Sequence, residues 1–303
     1  MKKITNKIFI SIMTAVLAVI ALGSTTLAWF TLNNVATISN FNASITAGEG
    51  IEMSLDGNEW QTILTQTDME TYLSTEYPSF KFSAVTSTNG LTNFLKINGT
   101  NTAFEIASLT SESGGADADY ITFKVYFRSI SGSVNITWTG ATLTSTPADW
   151  TPDASFISSI GATIAPVGGV YTPISINAAD AARISIDGDG TSDFIYEPLQ
   201  TLTGKMAVEG DLTSGTNSRG AVSYYQGKNQ GTSPFEAATV TIPNNLDGTT
   251  LSSPNNGVVL TGVDVSGTDF ITIRVWMEGW DPDCYNAVLN RQLTIGLIFT
   301  KVS

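Results

Sequence analysis

Stretches in which every second residue is apolar recur along most of the chain. In "ITFKVYFRS", Ile121, Phe123, Val125 and Phe127 fall on one side of an extended backbone, with Thr122, Lys124, Tyr126 and Arg128 on the other. After the turn "ISGS", Val134, Ile136, Trp138 and Gly140 repeat the spacing, which predicts a hairpin with one wet face. The pattern returns at Ile271, Ile273, Val275 and Met277, and again at Leu293, Ile295, Leu297 and Phe299. Near the start, Phe41, Ala43 and Ile45 alternate with polar residues. Ile51, Met53 and Leu55 then lead into an Asp56-Gly57 turn. Helical signals are short: a capping box from Thr67 to Glu70, and one or two turns within Asp281 to Asn290.

The pattern predicts an all-β fold, an antiparallel β-sandwich of Ig-like or jelly-roll type with long loops. "DYITFKVYF" (Asp119 to Phe127) and "DFITIRVWM" (Asp269 to Met277) echo each other, and each is expected to lead into a hairpin partner. Either two half-domains arose by duplication, or two central strands of one sandwich share a pattern; nothing between them repeats, which favours the single sandwich. Residues 145–267 are rich in Gly, Ser, Asn and Pro and read as an elaboration on the sandwich domain, 47–303.

The first residues are different in kind. Lys2, Lys3 and Lys7 precede an apolar run from Ile8 to Gly23, and Thr26 and Ala28 put small residues before a cut. This predicts a signal peptide over residues 1–28, cleaved by a signal peptidase, with the chain secreted or at the cell surface. The alternative is an uncleaved anchor, since Ile8 to Phe30 is long enough to span a bilayer. In either case the membrane is met only through the leader.

Composition narrows the chemistry. Charged residues make up 14% of the chain, against about 25% in an average protein. Removing the three leader lysines leaves 11 basic residues against 27 acidic ones, a net charge of −16. Such a surface repels phosphate backbones, so nucleic acid is excluded as an expected partner. Cys284 is the only cysteine, so no intramolecular disulfide forms. Histidine is absent, which removes Ser-His-Asp and Cys-His catalysis and histidine-based zinc sites. No carboxylate pair stands out for glycoside hydrolysis, and the chain is not expected to be an enzyme.

Two acidic stretches remain. In "SIDGDGTSD", Asp187, Asp189 and Asp193 alternate around Gly190, the oxygen spacing of a Ca²⁺ loop. Ser185 in the first ligand position and Glu197 one residue late depart from that pattern, and a solvated Gly/Asp hairpin turn is the competing reading. In "EGWDPDCYN", Glu278, Asp281 and Asp283 surround Trp280. They form either an acidic pocket with an aromatic platform or a strand end whose acids cap a short helix, the simpler reading. "GGVYTPISINAADAAR" and "YYQGKNQG" place further aromatic rings in Gly-rich loops.

The leader followed by "AWFTLNN" resembles exported proteins processed by the signal peptidase SipW. "FNASITAGEGIEMSL" (Phe41 to Leu55) is similar to the strand pattern just after the leader in the TasA and camelysin family. "EGWDPDC" looks like a segment of Gram-positive surface proteins. The resemblance implies a sandwich that polymerises into an extracellular fibre or biofilm matrix, with itself or a related matrix protein as partner. Residues 29–46 then act as a donor strand, with Trp29, Phe30, Phe41 and Ile45 as assembly residues. The residues themselves point the same way, because a free apolar strand at a new N-terminus calls for a pairing partner. The closing "LIFTKVS" reads as a strand with no sorting motif, so retention at the surface is expected to come from assembly or binding. The alternative function is a surface adhesin or glycan-binding module that uses the acidic and aromatic loops, with or without Ca²⁺.

Overall fold

The computed structural model describes residues 41–78, 80–87, 90–92, 94–99, 104–108, 118–189, 194–196, 219–228, 257–279 and 281–302. In chain order the first strands are β1 (Phe41–Ala47), β2 (Ile51–Ser54) and β3 (Ile63–Leu64), followed by helix α1 (Gln66–Glu76). Next come β4 (Ala84–Thr86), β5 (Leu95–Gly99), β6 (Phe104–Ser108), β7 (Ile121–Ser129) and β8 (Val134–Thr144). The short strands β9 (Ala148–Trp150), β10 (Phe156–Ile157), β11 (Thr163–Ile164) and β12 (Ile174–Ile176) precede β13 (Ala182–Asp187) and β14 (Phe194–Tyr196). Helix α2 (Gly220–Lys228) and strands β15 (Gly257–Val263), β16 (Asp269–Glu278) and β17 (Leu293–Val302) complete the set.

The strands form a β-sandwich. One sheet runs β15-β8-β17-β1-β3. In the other, β16 is central: β13 and then β14 lie on one side, and β7 and then β2 on the other. The end of β16 also pairs in parallel with β4, which carries β5 and β6 outward. Rings from the two sheets meet in the middle. Phe127 of β7 packs edge-on to Phe299 of β17 at 5.3 Å, and Trp138 of β8 meets Tyr196 of β14 at 6.0 Å. Most of the alternating apolar positions read from the sequence, including Ile121, Val125, Phe127, Ile136, Ile271, Ile273, Val275 and Leu297, lie in this core.

The two echoing segments are adjacent strands of one sheet. β7 and β16 pair antiparallel with Phe123 opposite Ile273, the equivalent positions of the two segments. This corrects the expected hairpins. β7 does not turn back onto β8, nor β16 onto β17; each crosses to the opposite sheet, where β8 and β17 pair with each other. The alternation allows both outcomes, because two strands with one apolar face each bury it equally well side by side or across a core. Two pairings are parallel, β1 with β17 and β4 with β16. β13, β14 and β15 are full members of the sheets, so the predicted elaboration shrinks to residues 148–176 and 220–228 among the described residues.

Helix α1 starts two residues earlier than its sequence signal. Thr65 is the N-cap and Asp68 closes the capping box, accepting from the Thr65 backbone N–H at 2.8 Å and its hydroxyl at 2.7 Å. Met69 and Leu73 are buried against the sandwich flank. The Tyr77 hydroxyl, just past the helix, accepts from the Thr122 N–H at 2.8 Å and donates to the Thr122 carbonyl. The bonds from the Thr65 hydroxyl and N–H hold the Asp68 carboxyl below its usual range. A lowered folded value contributes stability above the ordinary aspartate range, and that contribution is lost as pH falls through the folded value. Replacing Thr65 by Ala should cost about 1 kcal/mol at neutral pH. Thermal melts should show the gap from wild type narrowing in acid; a gap that widens would contradict the cap.

Candidate functional site

The aspartate loop follows β13 and lies against the other sheet. Asp187 Oδ2 pairs with Arg274 Nη1 of β16 at 3.0 Å. Asp189 Oδ1 accepts the Thr261 N–H of edge strand β15 at 2.9 Å. Between them, Gly188 is so close to β15 that a Cβ would stand 2.0 Å from the Val259 carbonyl oxygen. The loop therefore fastens β15 of one sheet to β13 of the other, and it occupies the donors of an edge that would otherwise be open. A cleft of about 360 Å³ opens beside it, lined by Asp187, Asp189, Leu260, Asp269 and Phe270 among others. Partial burial, then the charges of Asp189 and Asp264, hold the Asp269 carboxyl above its usual range.

Two of the three expected Ca²⁺ ligands, Asp187 and Asp189, line this cleft, while Asp193 lies outside the described residues. Among the described residues, no three acidic or sulfur ligands converge on a metal position. The geometry accounts for both aspartates through protein partners. Asp189→Ala should accordingly cost about 1 kcal/mol by releasing the Thr261 N–H, equally in Ca²⁺ and in chelator. A cost seen only in Ca²⁺ melts would return the loop to metal binding.

The described residues of "EGWDPDCYN" do not form a helix. Residues 281–291 make successive turns, such as Cys284 N–H to Asp281 carbonyl at 3.0 Å and Val288 N–H to Tyr285 carbonyl at 2.9 Å. Asp281 does cap locally, accepting the Asp283 N–H at 2.8 Å, but its other oxygen pairs with Arg183 of β13 at 2.5 Å. Both side chains are buried. Removing one partner of such a pair leaves an uncompensated buried charge, a loss of roughly 3–5 kcal/mol. Burial pushes the Cys284 thiol well up, as expected of an unreactive core cysteine. Trp280 lies outside the described residues. Arg183 was missed in the sequence because it lies 98 positions from Asp281.

Two aromatic rings that keep some exposure each have a cation near one face. Lys124 Nζ sits 3.9 Å from the centre of the Phe270 ring, and Arg128 Cζ lies 4.6 Å from that of Trp60. The Trp60 ring also presses on Gly267, whose φ of 71° and lack of Cβ permit the contact. "YYQGKNQG" begins in helix α2 rather than in a loop. Tyr224 packs with Trp150, Phe156 and Tyr285, while its hydroxyl donates to Asp153 at 2.5 Å.

At the N-terminal end, Trp29 and Phe30 lie outside the described residues. Phe41 opens β1, its backbone in register with Leu293. Ile45 is a correction: it was expected to reach into a neighbour, but it is 1% exposed in its own core, opposite Leu297 on one side and Leu64 on the other. Ala43 and Ala47 point inward with it. Residues from Phe41 onward thus belong to the chain's own sandwich.

Among the described residues, strand pairing on the flank of β1 away from β17 is partial, and helix α1 packs against β1. β3 pairs only with Ile45 and Thr46, and Ala47 N–H donates to the Thr62 carbonyl at 2.9 Å. Among the described residues, no strand pairs with Phe41 to Ser44 on that side. The β2 edge, by contrast, is closed by a reciprocal bridge between Met53 and Gln61. Among the described residues, no helix is long and apolar enough to cross a membrane. No family model, curated protein or solved structure matches the chain.

Proposed function

We propose that the chain is a secreted structural protein, a subunit of an extracellular fibre or matrix that assembles by β-strand addition between copies. The observation that carries this reading is the unfinished flank of β1. The sheet stops at a two-residue strand, with the backbone of Phe41 to Ser44 lacking a strand partner on that side among the described residues. Helix α1 also packs against β1, and a strand flank with unused backbone positions beside an apolar N-terminal segment is a site for strand pairing. The leader pattern and the resemblance of Phe41 to Leu55 to the TasA and camelysin family support export and polymerisation. Electron microscopy of the purified chain beginning at Trp29, with a glycan array in parallel, tests the proposal. Fibres without glycan binding support it; monodisperse particles that bind glycans would replace it with the adhesin reading.

A further inference from the structure

We propose that Lys96 and Asp119 condense to an intramolecular amide, a covalent staple in a chain that cannot form a disulfide. Lys96 Nζ of β5 lies 2.6 Å from Asp119 Oδ1. Asp119 is buried at 3% exposure, its carbonyl accepts the Ser83 N–H at 3.1 Å, and its second carboxylate oxygen, Oδ2, is buried with no hydrogen-bond partner. An ion pair leaves that oxygen's desolvation uncompensated. An amide removes both charges.

The surroundings suit such a step. Val85 of β4 pairs with Lys96 on one side and with Glu278 on the other, so the three stand in one row on one face of the sheet. The same face carries a small buried cluster of Val85, Phe94, Tyr120, Ile195 and Trp276. Phe94 stacks on Tyr120 at 4.3 Å and meets Trp276 edge-on at 5.3 Å. Glu278 is buried, and its Oε2 accepts the Trp276 indole N–H at 3.0 Å. Lys96 and Asp119 thus meet beside a packed apolar cluster, with Glu278 two strands away along the same face. Fixing an amine against a carboxyl in this way supplies the high effective concentration that drives intramolecular condensation.

The step balances within the protein. The Lys96 ammonium gives one proton to Asp119 Oδ1. The freed amine attacks Cγ, and a second proton moves from nitrogen to the departing hydroxyl. Water leaves, a C–N bond replaces a C–O bond, and nothing is oxidised or reduced.

The test is the intact mass of the purified, folded chain. It should be lighter than its sequence by one water, and digestion should yield a branched peptide joining the Lys96 and Asp119 fragments. Lys96→Arg keeps the positive charge but has no amine to condense; it should show the full sequence mass and a lower melting temperature. Asp119→Ala removes the carboxyl and should likewise show the full mass of its own sequence. A folded wild-type chain at full sequence mass overturns the proposal, whether or not any variant folds.

Discussion

Phe299→Ala should remove a large share of the stability of the sandwich. The ring is fully buried and touches Phe127 of the opposite sheet. Truncating a buried Phe costs roughly 3–5 kcal/mol through lost transfer energy and the cavity left behind, out of a total of about 5–15 kcal/mol for a typical domain. Phe127→Ala should cost about as much. The double variant should lose less than the sum, because the edge-to-face contact contributes about 0.5–1.5 kcal/mol only when both rings are present. Urea unfolding followed by fluorescence and circular dichroism would measure all four chains. A loss well under 1 kcal/mol for either single change, or two separate transitions in the wild type, would contradict a single core shared by β7, β8, β16 and β17.

The second large effect concerns the N-terminal segment, and two truncations should separate. Removing residues 29–40 leaves every described strand in place and should preserve the fold. Extending the cut through Ala47 removes β1, which lies between β17 and β3 and buries Ala43, Ile45 and Ala47. That chain should fail to fold. Within the shorter segment, Trp29 and Phe30 are the largest apolar groups. If each is well buried on a second copy, each contributes roughly 1.5–3 kcal/mol. Replacing both by Ala should weaken assembly by about 10²–10⁴-fold, with the melting temperature of the monomer unchanged. Concentration-dependent light scattering reads the first effect and thermal melts the second. An unchanged assembly threshold would remove these rings from the interface.

Much of the architecture is legible in the alternation alone. Ile121 to Phe127, Ile271 to Met277 and Leu293 to Phe299 point inward as their spacing requires. Which strand lies beside which is not legible. An apolar face specifies a core but no neighbour, so β7 and β8 read as a hairpin although they face each other across the sandwich. The parallel pairing of β1 with β17 joins the two ends of the described chain, and nothing local to either segment encodes it. The same limit hid the ion pairs. Arg183 and Arg274 look like ordinary polar positions of strands until β13 and β16 come into register and bring them to Asp281 and Asp187. The aspartate loop was visible as a motif, but its spacing fits both a cation and a turn. The approach of Gly188 to Val259 shows how the turn is used, and that contact spans two sheets.

Assembly by strand addition requires residues 29–40 of one copy to complete the sheet of another. Sedimentation velocity on two purified chains, one beginning at Trp29 and one at Phe41, tests it most directly, with circular dichroism confirming that both are folded. With strand addition, the longer chain sediments as concentration-dependent polymers and the shorter one as a folded monomer. Polymers formed equally by both chains, or folded monomers from both at every concentration, would contradict it.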